Sequence, residues 1–243
     1  MNNVRIVRYN SIGSTNLEAK KYATENNSRT PVLFIAKEQS AGRGRLGRSF
    51  CSRRDGGIYM SLLYFTGHAL ADAISITTAA AVYTAEAIER ATGKKTKIKW
   101  VNDIYNEHGK VAGILTEALT VGNDTAVVVG IGINTGKEDF PAELCGIASS
   151  IGEIDDVARE SIIHSITGAL LAHAANPLSR EYMSGYRKRF MLDGSEVDLL
   201  RADEIIAHGI VKGVTDDGGL IFLRSGATEN EVIHTGEVSV RAK

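Results

Sequence analysis

One short segment of the chain concentrates residues that are suited to binding anions. Gly42–Arg48 (Gly-Arg-Gly-Arg-Leu-Gly-Arg) contains three arginines and three glycines in seven residues. Glycine lets a backbone approach a ligand closely, and each guanidinium presents planar donors that match carboxylate or phosphate oxygens. Two such anions repel by about 1 kcal/mol at about 4 Å in water, and several-fold more in a cleft. The segment therefore suits an enzyme that joins a carboxylate to a nucleotide phosphate, although a basic surface loop has the same composition.

Four other segments place polar groups or glycine where chemistry would use them. Ser14–Asn16 (Ser-Thr-Asn) opens a predicted helix, where hydroxyls and free backbone N–H groups meet the positive end of the dipole. N-capping alone would explain the same residues. Gly130 and Gly132 bare one face of a strand, against which either a flat ligand or a helix can pack. The three strand-associated segments are Lys99–Asp103 (KWVND), Lys110–Glu117 (KVAGILTE) and Gly130–Asn134 (GIGIN).

The hydrophobic pattern predicts the elements that position these segments. A helix is predicted after Ser14, with Thr15 and Glu18 at capping-box spacing. Residues 38–56 form a long loop without predicted structure, and such loops are usually functional. Consecutive strands joined by tight turns pair antiparallel, so the predicted class is α+β, a mixed and largely antiparallel sheet covered by helices. The predicted strands are 4–9, 31–37, 57–65, 96–105, 110–120 and 126–134, and the other helices are 72–92, 158–174 and 179–190.

The last part of the chain has a different pattern. Short strands are predicted at 196–200, 205–214, 220–223 and 238–241, with Asp216–Gly219 as a hairpin turn. Closely spaced short strands over so few residues predict a small barrel, SH3-like in size. We therefore predict a larger domain over residues 1–192 and a small barrel domain over residues 193–243.

Composition restricts the class of protein. The chain has 243 residues, 43% hydrophobic and 23% charged, with a formal net charge of −1. These values are typical of a globular protein with a sizeable core and argue against a general nucleic-acid binder. Cys51 and Cys145 lack metal-ligand spacing, which argues against a zinc site or a disulfide framework and fits a reducing compartment. No apolar run approaches membrane-spanning length, so we expect a cytoplasmic protein with no membrane partner.

Taken together and in this order, these segments resemble biotin–protein ligase, the family that attaches biotin to the carrier protein of biotin-dependent carboxylases. The resemblance implies a class II synthetase-like catalytic domain followed by an SH3-like C-terminal barrel. It also implies ATP and biotin as substrates and no resident metal, with Mg²⁺ arriving with ATP near Asp103. The segments that carry it are Ser14–Asn16, Gln39–Arg48, Lys99–Asp103, Lys110–Leu115, Gly130–Asn134 and Gly236–Arg241.

The resemblance implies a reaction in two steps. Biotin and ATP form biotinyl-5′-adenylate with release of pyrophosphate, and a lysine of the carrier protein then attacks this mixed anhydride. Lys110 would be the principal catalytic residue, bridging the biotin carboxylate and the α-phosphate. Arg45 would belong to a loop that shields the adenylate from water. The implied catalytic set is completed by Arg43 and Asp103.

The same resemblance assigns two binding sets, residue by residue. The first would bind biotin, whose cyclic urea needs paired donors and acceptors. The second would bind the nucleotide, with an aromatic ring against adenine. The biotin set is Ser14, Thr15, Asn16, Gln39, Gly42, Arg43, Gly44, Arg45, Lys110 and Gly113. The nucleotide set is Arg43, Arg48, Phe50, Asn102, Asp103, Lys110, Gly132 and Asn134.

Partners and alternatives follow from the same residues. We expect a biotin carboxyl carrier protein or biotin-dependent carboxylase as partner, and either a monomer or a homodimer. Some relatives carry an N-terminal DNA-binding domain; Ser14–Asn16 comes too early for one, so we expect the monofunctional form and no DNA partner. The alternatives are a lipoate– or octanoate–protein ligase, a non-catalytic biotin- or nucleotide-binding module, and a basic-loop nucleic-acid binder. The arginine–glycine loop and the small barrel favour biotin, and the lack of interleaved aromatic residues argues against nucleic acid.

Overall fold

A computed structural model describes residues 4–66, 73–201, 204–234 and 238–242. The larger part of the chain contains four helices and seven strands: β1 (Arg5–Tyr9), α1 (Thr15–Glu25), β2 (Val32–Ala36), β3 (Gly57–Thr66), α2 (Ala73–Thr92), β4 (Lys97–Lys99), β5 (Asp103–Tyr105), β6 (Lys110–Val121), β7 (Asp124–Asn134), α3 (Asp156–Ala175) and α4 (Tyr182–Arg189). The C-terminal strands are β8 (Glu196–Arg201), β9 (Glu204–Val214), β10 (Leu220–Arg224), β11 (Glu231–Ile233) and β12 (Val238–Ala242). The predicted helix start at Asp72, and Gly236 and Glu237 of the closing segment, lie outside the described residues.

The strands form two sheets. The first has seven strands in the order β1-β2-β3-β7-β6-β5-β4, in which β1 and β2 pair parallel and the other described neighbours pair antiparallel. The second has five antiparallel strands in the order β11-β10-β9-β8-β12. The predicted α+β class, with a small all-β unit at the C-terminal end, is confirmed.

Alternation along the strands gives the large sheet two different faces. Val127 and Val129 of β7 belong to a core cluster that includes residues of α2, α3 and α4. Val128 faces the opposite side and packs in a smaller cluster with Ala19 and Ala23 of α1. Further along that second face the residues become small or polar, namely Ser61 of β3 and Gly130 and Gly132 of β7. No core can form there, and a cleft opens beside α1.

The C-terminal unit docks on the larger one through its β9–β10 hairpin. The buried indole Nε1 of Trp100 donates a hydrogen bond to the carbonyl of Gly218 at 2.9 Å. Gly218 has φ +89°, and a Cβ there would lie 2.8 Å from a methyl carbon of Ile74 on α2. Leu220 and Phe222 of β10 belong to the same core cluster as residues of α2. The second sheet is therefore held close to the end of the first.

Two local predictions are corrected, and one strand was missed. The N-cap of α1 is Ser14, whose hydroxyl accepts from the backbone N of Leu17 at 3.5 Å, so the predicted capping box of Thr15 and Glu18 is wrong. The predicted strand over 96–105 is two strands, β4 and β5, which pair as a hairpin around a turn. The peptide bond between Trp100 and Val101 in that turn is cis. Strand β11 was not predicted, because three residues are too few to show alternation.

Among the helices that the structure describes, none has the length and apolar character needed to cross a membrane.

Candidate active site

A cleft of about 500 Å³ opens on the α1 face of the large sheet. Its walls come from the start of α1, the loop 38–56, the β4–β5 turn and the ends of β6 and β7; Leu200, Val240 and Arg241 of the C-terminal unit also line it. The cleft brings together these predicted site residues: Ser14, Thr15, Asn16, Gln39, Arg43, Gly44, Arg45, Arg48, Phe50, Asn102, Asp103, Lys110, Gly113, Gly132 and Asn134.

Gly42 is the predicted site residue that does not line the cleft. A Cβ at this position would lie 2.4 Å from the carbonyl oxygen of Phe50 and 2.6 Å from the hydroxyl of Ser52. The Gly42 carbonyl in turn accepts from the backbone N of Phe50 at 2.9 Å. Glycine is therefore required here by the close approach of the two ends of the arginine–glycine loop, so its role in this structure is to shape that loop.

One end of the cleft is lined by uncharged polar groups. The backbone N of Thr15 donates to Oε1 of Gln39 at 2.8 Å. Nε2 of Gln39 donates to the hydroxyl of Ser52 at 2.9 Å, which fixes the orientation of the amide. Ser14 and Thr15 are both buried. Ordered donors and acceptors without net charge suit a neutral polar head group rather than an anion.

The two glycines of β7 make room for side chains of the protein itself. A Cβ on Gly130 would lie 2.0 Å from Oδ1 of Asn16. A Cβ on Gly132 would lie 2.4 Å from the ring of Phe50, which also stands edge-on to Tyr59 with ring centroids 6.4 Å apart. The bare face is therefore occupied by an amide from α1 and a ring from the loop. Of the two explanations considered from the sequence, a packing helix holds at Gly130, where α1 packs, while a ring of the loop fills the space at Gly132.

The other end of the cleft is strongly basic. Nζ of Lys110 lies 2.7 Å from Oδ1 of Asp103. Among the described residues that line the cleft, Asp103 is the one carboxylate, and it faces six cations: Arg43, Arg45, Arg48, Lys99, Lys110 and Arg241. Burial lowers the pKa of the Lys99 ammonium, and the Asp103 carboxylate opposes that shift. A surplus of cations in a partly enclosed cleft favours the binding of a polyanion such as a nucleoside triphosphate.

Arg45 reaches from the loop into this basic end. Its Nη1 donates to Oδ1 of Asn102 at 3.2 Å, and Nδ2 of Asn102 donates to the carbonyl of Ile114 at 2.8 Å. Burial lowers the pKa of the Arg45 guanidinium, and the nearby Asp103 carboxylate opposes that shift. The loop is thus anchored across the cleft by one half-buried arginine.

The backbone of Lys110 is fixed on both sides by the segment 135–152. The N–H of Lys110 donates to the carbonyl of Ile147 at 2.9 Å, and its carbonyl accepts from the N–H of Ser149 at 2.8 Å. Nδ2 of Asn134 donates to the carbonyl of Ser149 at 3.0 Å and to that of Lys110 at 3.4 Å. The amide nitrogen of Asn134 therefore holds the Lys110 strand in place in this structure.

Some residues of the site were not assigned from the sequence. Lys99 and Tyr105 line the cleft, and burial together with Asp103 raises the pKa of Tyr105 to about 12, so its phenol is neutral. Arg241 reaches the cleft because β12 pairs with β8, and no local sequence pattern predicts this pairing. Glu117 lies behind the cleft on β6. It is two residues from Leu115 and four from Gly113, so alternation places all three on one face of the strand, and this spacing was the sequence signal that could have identified it.

Comparison with known proteins identifies the family. The sequence profile of the biotin/lipoate A/B protein ligase family matches residues 9–134, and that of the biotin protein ligase C-terminal domain matches residues 194–241. The biotin–acetyl-CoA-carboxylase ligase of Paracoccus denitrificans is 32% identical over 234 residues, which cover 93% of this chain and 96% of that protein. The bifunctional ligase/repressor BirA of Bacillus subtilis is 36% identical over 166 residues, 66% of this chain and 51% of that protein. The chain thus spans about half the length of this second relative.

Solved structures give the same result. The biotin protein ligase from Aquifex aeolicus, in complex with biotin and ATP, superposes with a TM-score of 0.80 and 26% identity. The match covers 98% of this chain and 99% of that one. The fold is therefore that of the biotin protein ligases. The chain belongs to the biotin/lipoate A/B protein ligase family and carries the C-terminal domain of biotin protein ligases, which confirms the resemblance stated from its motifs.

Proposed function

We propose that this protein is a biotin protein ligase. It activates biotin with ATP to biotinyl-5′-adenylate and transfers biotin to a lysine of a biotin carboxyl carrier protein. The observation that carries the proposal is the arrangement of one cleft, with the neutral Thr15–Gln39 pair at one end and the Lys110–Asp103 pair among cations at the other. Family membership and the Aquifex aeolicus complex with biotin and ATP support it.

In the first step the carboxylate of biotin attacks the α-phosphorus of ATP. A carboxylate–phosphorus bond forms, the bond to the bridging oxygen of pyrophosphate breaks, and pyrophosphate leaves. Both reactants are anionic, so the reaction needs cations at the point where they meet. We assign this role to Lys110, whose ammonium Asp103 holds in position, and to Arg43, with Arg48 as a further phosphate contact.

In the second step an amine of the carrier protein attacks the carboxyl carbon of the adenylate. The amide bond forms, the carbon–oxygen bond of the mixed anhydride breaks, AMP leaves, and the amine releases a proton. We assign the orientation of this amine to Asp103, the one carboxylate among the described residues that line the cleft. Arg45, bonded across the cleft to Asn102, keeps water from the anhydride between the two steps.

Magnesium enters this scheme as part of the substrate MgATP. Within the described ranges there is no group of three or more His, Cys, Asp or Glu side chains that could hold a metal. Asp103 is a single carboxylate already paired with Lys110. The phosphate oxygens and water therefore supply most of the ligands of the ion, as is usual for magnesium bound with nucleotides.

Two further assignments are part of the proposal. We keep the division between the catalytic domain and the C-terminal domain at 192/193, supported by a C-terminal family profile that begins at residue 194. We also propose a cytoplasmic location, since Cys51 and Cys145 are free thiols of the kind found in reducing compartments.

ATP–pyrophosphate exchange tests the first half-reaction. The purified protein is assayed with MgATP and biotin, lipoate, octanoate or no acid. The proposal predicts exchange with biotin and background exchange with the other acids. Exchange with lipoate or octanoate would move the protein to the lipoate branch of the family. Binding of biotin without exchange would favour a non-catalytic module.

A further inference from the structure

A chain of polar side chains lies directly behind the uncharged end of the cleft. Lys20 of α1 pairs with Oε1 of Glu117 at 2.7 Å, and Nδ2 of Asn16 donates to Oε2 of Glu117 at 3.0 Å. On its other side, Asn16 Oδ1 lies 2.6 Å from the hydroxyl of Ser61, which is also 2.7 Å from that of Thr15. We call these five residues the relay. Lys20, Glu117 and Ser61 do not line the cleft, so their hydrogen bonds reach it through Asn16 and Thr15.

The direction of every hydrogen bond in the relay follows from the carboxylate of Glu117, which can only accept. The carboxylate of Glu117 and the carbonyl of Leu115, both within reach of Asn16, can only accept, so the amide nitrogen of Asn16 must face them. Its oxygen then faces Ser61 and takes the single hydroxyl proton of that residue. The Ser61 oxygen is left as the acceptor for the hydroxyl of Thr15.

This direction decides what the cleft offers to a ligand. Two acceptors compete for the hydroxyl proton of Thr15, namely Ser61 at 2.7 Å and Oε1 of Gln39 at 3.1 Å. With the proton given to Ser61, Gln39 Oε1 accepts from the Thr15 N–H and keeps a free lone pair, as does the Thr15 hydroxyl. The uncharged end of the cleft therefore presents two acceptors to a ligand.

The surroundings of the relay reinforce its direction. Ser61 and Asn16 are buried, and leaving either oxygen without a donor would cost about 1–3 kcal/mol. Gly130 provides the space that the Asn16 amide occupies, since a Cβ there would lie 2.0 Å from Oδ1. Burial raises the pKa of Glu117, but hydrogen bonds from Lys20 and Asn16 and the cations of Lys20 and Arg43 outweigh it. The pKa is thus below its ordinary value, and Glu117 stays an ionised acceptor.

We propose that Glu117, held by Lys20, is a positioning residue that makes the cleft selective for acids whose head group carries N–H donors. It acts by fixing the amide of Asn16, which turns the Thr15 proton away from the ligand. A cyclic urea offers two N–H groups to these acceptors. A dithiolane ring or an alkyl chain offers none and leaves the acceptors unpaired, which is the costly outcome. This inference rests on the proposed function and extends it to the source of selectivity.

The test uses Glu117→Gln, which keeps the shape of the side chain. A glutamine can donate to Asn16, so the amide of Asn16 is free to turn over and the Thr15 proton to point at the ligand. In pyrophosphate exchange we expect the KM for biotin to rise about tenfold, the effect of one lost hydrogen bond. The kcat and the KM for ATP should stay within about twofold.

A ligand change separates this role from a merely structural one. Biotin methylated at one ring nitrogen lacks one of the two donors, so the parent enzyme should bind it much more weakly than biotin. In Glu117→Gln the ratio of the affinities for biotin and for methylated biotin should be about tenfold smaller than in the parent, because the acceptor for the missing N–H group is no longer fixed. Damage to folding would weaken the binding of both ligands equally and leave the ratio of their affinities unchanged.

Ser61→Ala serves as a second variant, because it removes one buried hydroxyl with little change in shape. Without Ser61, the Thr15 proton has Gln39 as its acceptor, so the same rise in KM and the same loss of discrimination are expected. Glu25→Gln makes the same charge change at the exposed end of α1 and should match the parent. Unchanged KM and discrimination in a folded Glu117→Gln or Ser61→Ala enzyme would overturn the inference and leave the ligase assignment intact. A parent enzyme without biotin-dependent exchange would instead overturn the assignment itself.

Discussion

Lys110 and Asp103 face each other across neighbouring strands, with Nζ of the lysine 2.7 Å from Oδ1 of the aspartate. The pair stands in the basic end of the cleft, and both side chains are about one-quarter exposed. The Lys110 backbone is held on both sides by segment 135–152, and β5 is held by its pairing with β6. The lysine is therefore held by rigid elements, as its proposed role in joining a carboxylate to an α-phosphate requires.

Replacing this lysine tests its role in the first step. We expect Lys110→Ala to lower the rate of biotin-dependent pyrophosphate exchange by about 100- to 1000-fold, because a charge aimed at the reacting oxygens is lost. The melting temperature should change little, since the side chain is not part of the core. Lys97→Ala, an exposed lysine on β4, is the matched control. An exchange rate in Lys110→Ala equal to that of the control would remove Lys110 from the mechanism.

Replacing Arg45 tests the retention of the intermediate. Arg45→Gly removes the bond from the loop to Asn102, a charge-assisted contact worth about 1.5–3 kcal/mol. We expect release of biotinyl-adenylate from the isolated complex to become at least about tenfold faster, with adenylate still formed. The measurement is the loss of radiolabelled adenylate from the protein over time. Arg54→Gly, which breaks an exposed ion pair with Glu38 on the same loop, should release it at the parental rate. Equal release from both variants would contradict the role of Arg45.

Two glycine-to-alanine changes should have different effects: one should weaken biotin binding, and the other should stabilise the fold. In Gly130→Ala the new Cβ would lie 2.0 Å from Oδ1 of Asn16, so Asn16 has to move and biotin binding should weaken by tenfold or more, about 1.4 kcal/mol. Gly168, on α3, has open space around a new Cβ, so Gly168→Ala should stabilise the fold by about 0.5–1 kcal/mol and leave binding unchanged. Calorimetric titration with biotin and urea unfolding measure the two effects. Parental affinity in Gly130→Ala would show that the position of Asn16 is unimportant.

The Glu89–Arg189 pair predicts a dependence of stability on pH. Glu89 accepts from Arg189 at 2.6 Å and from the N–H of Thr96 at 3.0 Å. Burial raises the pKa of Glu89, but these hydrogen bonds outweigh it and lower the pKa overall. A carboxylate with a lowered folded pKa stabilises the protein above its unfolded pKa of about 4.3, and the contribution is lost as pH falls through the folded pKa.

We therefore expect Glu89→Gln to lower the free energy of unfolding by about 1–3 kcal/mol at neutral pH, as measured by urea denaturation. The difference from the parent should narrow as pH falls below about 4. Glu153→Gln, a change at an exposed acid, controls for the lost charge. A difference that stays constant between neutral and acidic pH would mean that Glu89 acts through packing rather than through its charge.

Much of the fold follows from local sequence pattern. Nearly continuous apolar runs form β3 and β7, which are buried along most of their length, and helical spacing marks α2 and α3; these elements appear close to their predicted bounds. The site residues in the motifs were predicted from the resemblance to biotin–protein ligase, and the structure brings all of them except Gly42 to one cleft.

The features of the site that the sequence did not predict depend on contacts between segments that are distant in sequence. The occupants of the space above Gly130 and Gly132, Asn16 and Phe50, come from elements far away in sequence. Thr15 was predicted as a cap, yet its hydroxyl contacts Ser61 and leaves the capping to Ser14. No local rule shows such a competition between a helix end and a tertiary partner.

Transfer of biotin to a carrier tests the proposed ligase function most directly. The purified protein is incubated with MgATP, biotin and an isolated biotin carboxyl carrier domain, and the intact mass of the carrier is followed. A biotin protein ligase should add one biotinyl group to one lysine, and this gain should be absent when that lysine is replaced by arginine and strongly reduced with the Lys110→Ala enzyme. A carrier whose mass stays unchanged, while the enzyme is folded and binds both substrates, would contradict this proposed function.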